Sequence, residues 1–256
     1  MFMGLRTKIK KFLYKKKFKD KNFVLNIQNK NILITGSTSG IGLALTKRLL
    51  ELGNNVFAIF RKDQTNLDQL ENENLYKVKC DLSDFDNYDE INKIINGNRI
   101  DIIFNCAGTM GPSFDNQEIK KINFEIFNEV IKTNALSIVK ILQILISKEK
   151  TLPKLIVNIS SDFGSISKNS QGNAYIYRTS KTALNSITKN MSVDLFNSHG
   201  TVVFAIEPGN VKTRMNTGGI IDSIHCANLI IDLVSNKDVI TLNGKFLNLN
   251  KEEIMW

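Results

Sequence analysis

The chain is poor in the residues that most often build metal centres and histidine-based catalysis. It has two histidines, His199 and His225, in 256 residues, which argues against a histidine metal site or a histidine-containing triad. Its three cysteines, Cys80, Cys106 and Cys226, stand without metal or redox spacing, a usage that suits a reducing, cytoplasmic setting. There are only three prolines, and no internal repeat or linker follows residue 30, so one domain is the economical reading. No run of about 18 or more apolar residues occurs, and no transmembrane helix is expected. The opening Met-Phe-Met-Gly-Leu-Arg-Thr-Lys lacks the apolar core of a secretory signal.

A charge surplus over the body of the chain is also missing. Residues 1–30 hold ten lysines or arginines and one acid, Asp20. That surplus of nine equals the net charge of +9 for the whole chain, so residues 31–256 balance to zero. The pI of about 9.3 therefore describes a tail, and the body offers no reason to invoke nucleic acid. In the tail, Phe2, Leu5, Ile9, Phe12 and Leu13 share one side of a helical wheel, with Arg6, Lys8, Lys10, Lys11 and Lys15 around them. Two readings stand: a solvated extension, or a basic amphipathic helix making peripheral membrane contact through residues 1–20. The first is preferred, because so short a stripe is marginal as an isolated helix. The division is then a basic extension, 1–29, and one domain, 30–256.

From residue 31 the chain alternates. Short apolar runs at 31–34, 56–60, 75–80, 101–104, 155–159, 202–206 and 245–249 read as seven strands. Helical periodicity marks 43–52, a stretch including 91–95, 118–148, 174–197 and 221–234. Strands alternating with helices predict an α/β fold, a doubly wound parallel sheet of the Rossmann type with helices on both faces. Near-continuous apolar strands fit a sheet buried on both sides.

Between the first strand and first helix lies Thr35-Gly-Ser-Thr-Ser-Gly-Ile-Gly42. Gly36, Gly40 and Gly42 let the backbone turn sharply and approach a ligand, while the helix that starts there offers N–H groups and a positive dipole end to a pyrophosphate. Ser37, Ser39 and Ile41 belong to the same candidate loop. The second strand ends at Arg61. An acid in this region would bond the ribose 2′-hydroxyl of NAD, and an arginine accommodates the 2′-phosphate of NADP. Arg61 with Lys62 favours NADP(H); the nearby Asp63 keeps NAD(H) as the alternative.

Tyr177 and Lys181 lie four apart in Tyr-Arg-Thr-Ser-Lys, with Ser161 sixteen residues before the tyrosine. On a helix, positions i and i+4 share a face. A free phenol has a pKa of about 10, and an ammonium a few ångströms away is expected to lower it by roughly 1–3 units, toward proton exchange with an alcohol or carbonyl. By itself such a pair is more often two surface neighbours.

With the glycine loop and this pair both present, residues 30–256 resemble the classical short-chain dehydrogenases/reductases. Asp81-Leu82 matches the family's adenine-contacting acid. Asn105-Cys-Ala-Gly108 matches its Asn-Asn-Ala-Gly element, with Cys106 in place of the second asparagine and Asn105, Ala107 and Gly108 retained. Asn134 matches the asparagine that helps hold a proton-relay water. Ser161 begins Ser-Asp-Phe-Gly, as the catalytic serine does. Pro208, Gly209, Val211 and Thr213 match the segment that contacts the nicotinamide. A narrower likeness, to the C-factor-like carbonyl reductases, rests on residues 175–185, on Pro-Gly-Asn-Val-Lys-Thr-Arg-Met at 208–215 and on Trp256, and it selects Tyr177 over Tyr175 as the phenol. Ser39 stands where many NADP-users of the family carry a second basic residue.

The resemblance implies an oxidoreductase that moves a hydride between a nicotinamide cofactor and a small-molecule carbonyl or secondary alcohol. Tyr177 would act as general acid/base. Lys181 would lower the phenol pKa and hold the nicotinamide ribose, Ser161 would bind the substrate oxygen, and Asn134 would anchor water. It also implies a homodimer or homotetramer and no metal. Two rival readings differ in class: a non-catalytic dinucleotide-binding sensor, and a membrane-surface reductase of a lipid-linked or glycan-precursor substrate. The short segment between Gly209 and the helix near Ile221 implies an open, shallow substrate site.

Overall fold

The structure is a computed structural model and describes residues 25–62, 65–148, 151–235 and 239–256. The expected amphipathic stripe of the tail and Asp63 lie outside these residues. Seven strands form one sheet: β1 (Asn31–Thr35), β2 (Asn55–Phe60), β3 (Leu75–Lys79), β4 (Ile102–Asn105), β5 (Leu155–Ile159), β6 (Val202–Glu207) and β7 (Phe246–Asn248). All pairings are parallel, in the order β3-β2-β1-β4-β5-β6-β7. The expected α/β doubly wound sheet is the fold observed.

The pleat explains the two-sided burial. Successive side chains of a strand leave opposite faces. Ile32 and Ile34 therefore enter one core, with Leu45 and Leu49 of α1 (Gly40–Glu51) and Ile230 and Val234 of a helix at Ser223–Ser235. Leu33, between them, enters the other core. There it joins Ile91 and Ile95 of α2 (Asp89–Gly97) and apolar residues from two later helices. Leu25 and Ile27, ahead of β1, are buried in the first core.

Several boundaries differ from the sequence expectation. The region 118–148 is composite. Two 3₁₀ turns, Phe114–Gln117 and Ile119–Lys121, precede α3 (Phe124–Ile131), which is capped by the Asn123 side chain accepting from the N–H groups of Glu125 and Ile126. A π-helical turn, Lys132–Leu136, then leads into α4 (Ser137–Ser147). Phe124–Ser147 is long and apolar enough to cross a membrane by length and composition, but half of that window is buried. Ile138, Ile141 and Leu145 pack in the second core. The helix expected from Ala174 is α5 (Tyr175–His199); Ala174 itself is left-handed, with φ 49°. The helix expected from Ile221 is α6 (Ser223–Ser235), because Ile221 pairs with Val211 in a parallel bridge. A single helical turn at Thr65–Asp68 had no periodic signal to announce it.

Strand order reverses between β1 and β4, so the loops that leave these two strands diverge at their carboxyl ends. Buried polar side chains tie that edge together. The Ala107 N–H donates to Thr35 Oγ1 (3.0 Å), and Thr35 donates to Asn105 Oδ1 (3.0 Å). Asn105 Nδ2 donates to Asn158 Oδ1 (3.1 Å), and Asn158 Nδ2 donates to Thr188 Oγ1 (2.9 Å). Thr188 donates to the Leu184 carbonyl (2.7 Å). The four side chains span β1, β4, β5 and α5, and each is at most 1% exposed. Orphaning a buried polar group costs about 1–3 kcal/mol. Asn158→Leu, which orphans the Asn105 amide, is expected to lower stability by about that amount. Urea denaturation measures it, and an unchanged midpoint would remove this chain from the account of the fold.

Candidate active site

The segments that follow β1 to β6 lie at the carboxyl edge of the sheet, with the π turn and α5 beside them. The glycine loop after β1 is the first. Gly36 and Gly40 have φ of +70° and +52°. A Cβ on Gly36 would lie 2.8 Å from the Ala107 Cα, and one on Gly42 would lie 2.3 Å from the Gly36 carbonyl oxygen. These contacts leave room only for glycine and bring the backbone of α1's first turn to the surface of the loop. Ser39 is the N-cap of α1 and makes no side-chain capping bond. Ser37 is buried, with its hydroxyl on the Ile34 carbonyl, so it braces the loop from beneath. Ile41 packs half-buried against the core. Thr213 sits over the loop: its methyl would lie 2.9 Å from a Cβ on Gly40.

Arg61 at the end of β2 lines a cavity of about 370 Å³ with Lys62, Lys79, Cys80, Asp81, Asn87 and Glu90. Asp81 accepts from the N–H and the hydroxyl of Ser83. Burial works against its charge, but those bonds together with Arg61 and Lys62 hold its carboxyl below the usual range. Leu82 is a core residue whose carbonyl accepts from the Tyr88 hydroxyl. Lys79 was not singled out in the sequence; its signal was its place near the end of β3, beside the strand that carries Arg61.

The loop after β4, the π turn and α5 converge. A Cβ on Gly108 would stand 3.5 Å from Lys181 Nζ and 3.6 Å from Asn134 Oδ1. Asn134, within the π turn and fully buried, donates from Nδ2 to the Thr109 carbonyl (2.8 Å) and to Ser180 Oγ (2.9 Å), and accepts from the Thr109 N–H (2.8 Å). Both hydrogens of its amide are thus used within the protein. Ser180 donates in turn to the Tyr177 carbonyl (2.8 Å). The single-turn π insertion carries Asn134 to this point, and such insertions recur at functional sites.

Ser161 follows β5. Its loop is clamped onto α5: Thr182 Oγ1 and Asn185 Nδ2 both donate to the Gly164 carbonyl (3.1 Å each), and Ser160 donates to Asn185 Oδ1 (2.6 Å). A Cβ on Gly164 would lie 2.9 Å from the backbone of Lys181. From the far side, Ser165 donates to the Met255 carbonyl (2.6 Å) and Ser167 to the Trp256 carbonyl (3.1 Å), while Trp256 stacks on Phe246 of β7. Neither Asn185 nor Gly164 was among the sequence candidates. A signal existed: Ser180, Lys181, Asn185, Thr188 and Ser192 recur at helical spacing, and all are buried. The remaining predicted segment lies across the site. Pro208 and Val211 are buried, Gly209 has φ +74°, and Glu207 accepts from the Gly209 N–H (2.7 Å).

Tyr177 and Lys181 lie side by side as the spacing requires, with Lys181 Nζ 5.9 Å from the phenol ring centre. The electrostatics reverse the expectation. The phenol is pushed up to about 12, first by burial; the facing Ser161 hydroxyl opposes this, and the Asp162 and Glu207 carboxylates add to it. Lys181, 5% exposed, is brought down to about 8 by the same loss of water, with Cys106 partly opposing. Its ammonium turns to the Ile159 carbonyl at 2.9 Å. Desolvation disfavours every charged form, and here it outweighs the attraction that spacing alone suggested. A ring wall completes the site: Phe163 stacks on Phe114 (5.5 Å), lies 5.9 Å from the Tyr177 ring, and carries the Arg178 guanidinium at 4.2 Å.

Comparison with known proteins agrees with this geometry. A family model described as short chain dehydrogenase matches residues 30–219. An uncharacterised oxidoreductase of Schizosaccharomyces pombe is 30% identical over 204 residues, covering 75% of this chain and 78% of the relative. A farnesol dehydrogenase of Aedes aegypti is 29% identical over 205 residues, covering 75% and 82%. Among solved structures, the carbonyl reductase Sniffer of D. melanogaster superposes with a TM-score of 0.77 at 27% identity, over 90% of this chain and all of that one. An NADPH-bound carbonyl reductase from chicken fatty liver gives 0.73 at 27%, with the same coverage.

Lys181 yields a pH prediction. Its pKa is depressed in the folded chain, so its contribution to stability is complete above the free value of 10.5 and is lost as pH falls through about 8. Against Lys181→Met, the parent's urea midpoint is therefore expected to gain ground from pH 8 to 10.5. A pH-independent difference would show that Lys181 is not desolvated.

Proposed function

The chain belongs to the short-chain dehydrogenases, oxidoreductases of alcohol and carbonyl groups, and on that premise we propose that it reduces a carbonyl compound with NADPH, Tyr177 donating the proton. The observation that carries this reading is the half-buried Tyr177 phenol, facing Ser161 and flanked by Lys181. With its pKa pushed up to about 12, the phenol keeps its proton at neutral pH. In the reductive direction it would give that proton to the developing alkoxide.

The bound dinucleotide supplies the hydride. The chain's residues fit such a group. Gly36, Gly40 and Gly42 let a pyrophosphate approach the uncapped first turn of α1, which is electropositive. Arg61, Lys62 and Lys79 place three cations on one cavity, the charge a 2′-phosphate needs, and Asp81 on the same cavity suits an adenine amine. The chicken liver neighbour holds NADPH, which supports the choice over NADH. At the other end, Asn105, Ala107 and Gly108 with Pro208, Gly209, Val211 and Thr213 would flank the nicotinamide. Lys181 would hold its ribose, and Ser161 would orient the substrate oxygen toward the phenol. The water role suggested for Asn134 would fall to its backbone, since its amide hydrogens are used.

Two measurements test the reading. Tyr177→Phe is expected to slow carbonyl-dependent NADPH oxidation by roughly 10²–10⁴-fold, the usual worth of a general acid, while NADPH binding persists; a normal rate would sink the assignment. The pair Arg61→Glu and Lys79→Glu is expected to raise KM for NADPH by about tenfold or more while leaving KM for NADH nearly unchanged, since the 2′-phosphate is the only group the two cofactors do not share. Equal effects on both would argue against NADPH preference.

A further inference from the structure

We propose that Gln117 is the positioning residue for Tyr177, fastening the first turn of the Tyr177 helix and the loop after β4 into one body; the proposal rests on Tyr177 being the proton donor. The helix α5 has no cap of its own. Ala174, its N-cap, has no side chain that can accept, and it enters through two consecutive left-handed residues, Asn173 (φ 55°) and Ala174 (φ 49°). Helix starts leave their first N–H groups without backbone partners. Here one of them, the N–H of Tyr177 itself, donates to Gln117 Oε1 at 3.0 Å, across sixty residues of sequence.

Gln117 is fully buried, in a 3₁₀ turn. Its Nε2 donates to the Met110 carbonyl and the Pro112 carbonyl, both at 2.8 Å. Only Gly111, with φ +78°, stands between those two acceptors. Thr109, next along this loop, is held on both backbone groups by Asn134. The side chain thus spends two donors on the loop that follows Gly108 and one acceptor on the residue bearing the phenol. No apolar residue of the same volume reproduces either end. Glutamate keeps the acceptor and loses both donors.

Gln117→Met and Gln117→Glu are tested in the intact enzyme with NADPH or its 4-deuterated form. The expected result for Gln117→Met is a fall in kcat of about 10- to 100-fold, the scale of a misplaced reacting group, with KM for NADPH held within about twofold. The primary isotope effect on kcat should rise, since the chemical step becomes slower. Gln117→Glu should fall between Met and the parent, and it carries the test if the Met variant does not fold. In a Tyr177→Phe background neither substitution should slow the residual reaction further. Folded variants with parental kcat and isotope effect, only a lower Tm, would overturn the proposal. So would an equal loss in the Tyr177→Phe background. If Tyr177→Phe alone keeps the parental rate, the fault lies in the reading of Tyr177, and this proposal goes with it.

Discussion

The site depends on a single chain of buried hydrogen bonds that runs beneath it, from Thr35 through Asn105 and Asn158 to Thr188. Parallel strands hydrogen-bond to one another along their length, but nothing in that ladder fixes how the loops beyond their carboxyl ends stand relative to a helix on the sheet's face. This chain does so. At one end Thr35 accepts from Ala107 and so sets the loop against which Gly36 rests; at the other, Thr188 lies two helical turns below Lys181. Every link points the same way, donor to acceptor, and in a low-dielectric interior such links strengthen one another. Cys106, where the family carries a second asparagine, interrupts none of them.

Burial gives the centre its chemical character. Taking a phenol and an ammonium out of water together moves both toward neutrality, one up to about 12 and the other down to about 8. The carboxylates of Asp162 and Glu207 push the phenol further the same way, and Glu207 is itself raised by burial. The Ser161 hydroxyl is the one neighbour that works in the opposite sense.

Periodicity and punctuation were enough to read the sheet and its alternating helices, because fully buried strands leave continuous apolar runs and loop glycines leave gaps. The glycine loop and Arg61 stood out for the same reason, at strand ends, and Tyr177 with Lys181 stood out by helical spacing, while Asp81, Asn134 and Ser161 were singled out only through the family resemblance. What was not legible depends on contacts between distant segments. The π turn adds one residue to a helix without disturbing its apolar pattern. Lys79 reaches its cavity only through strand pairing, and the pairing of Asn185 with Gly164 needs β5 and α5 to be docked. The direction of the tyrosine's shift also escaped, since spacing reports a neighbour's charge but not how much water the fold removes.

The strap formed by Ile254, Met255 and Trp256 returns along β7 through the Ile254 N–H to the Phe246 carbonyl, and its carbonyls receive Ser165 and Ser167, just beyond the serine loop. The serine loop is thereby sewn to the outermost strand of the sheet on one side and to α5 on the other. A disturbance at the β7 edge therefore has a direct mechanical route to Ser161, one that bypasses both large cores.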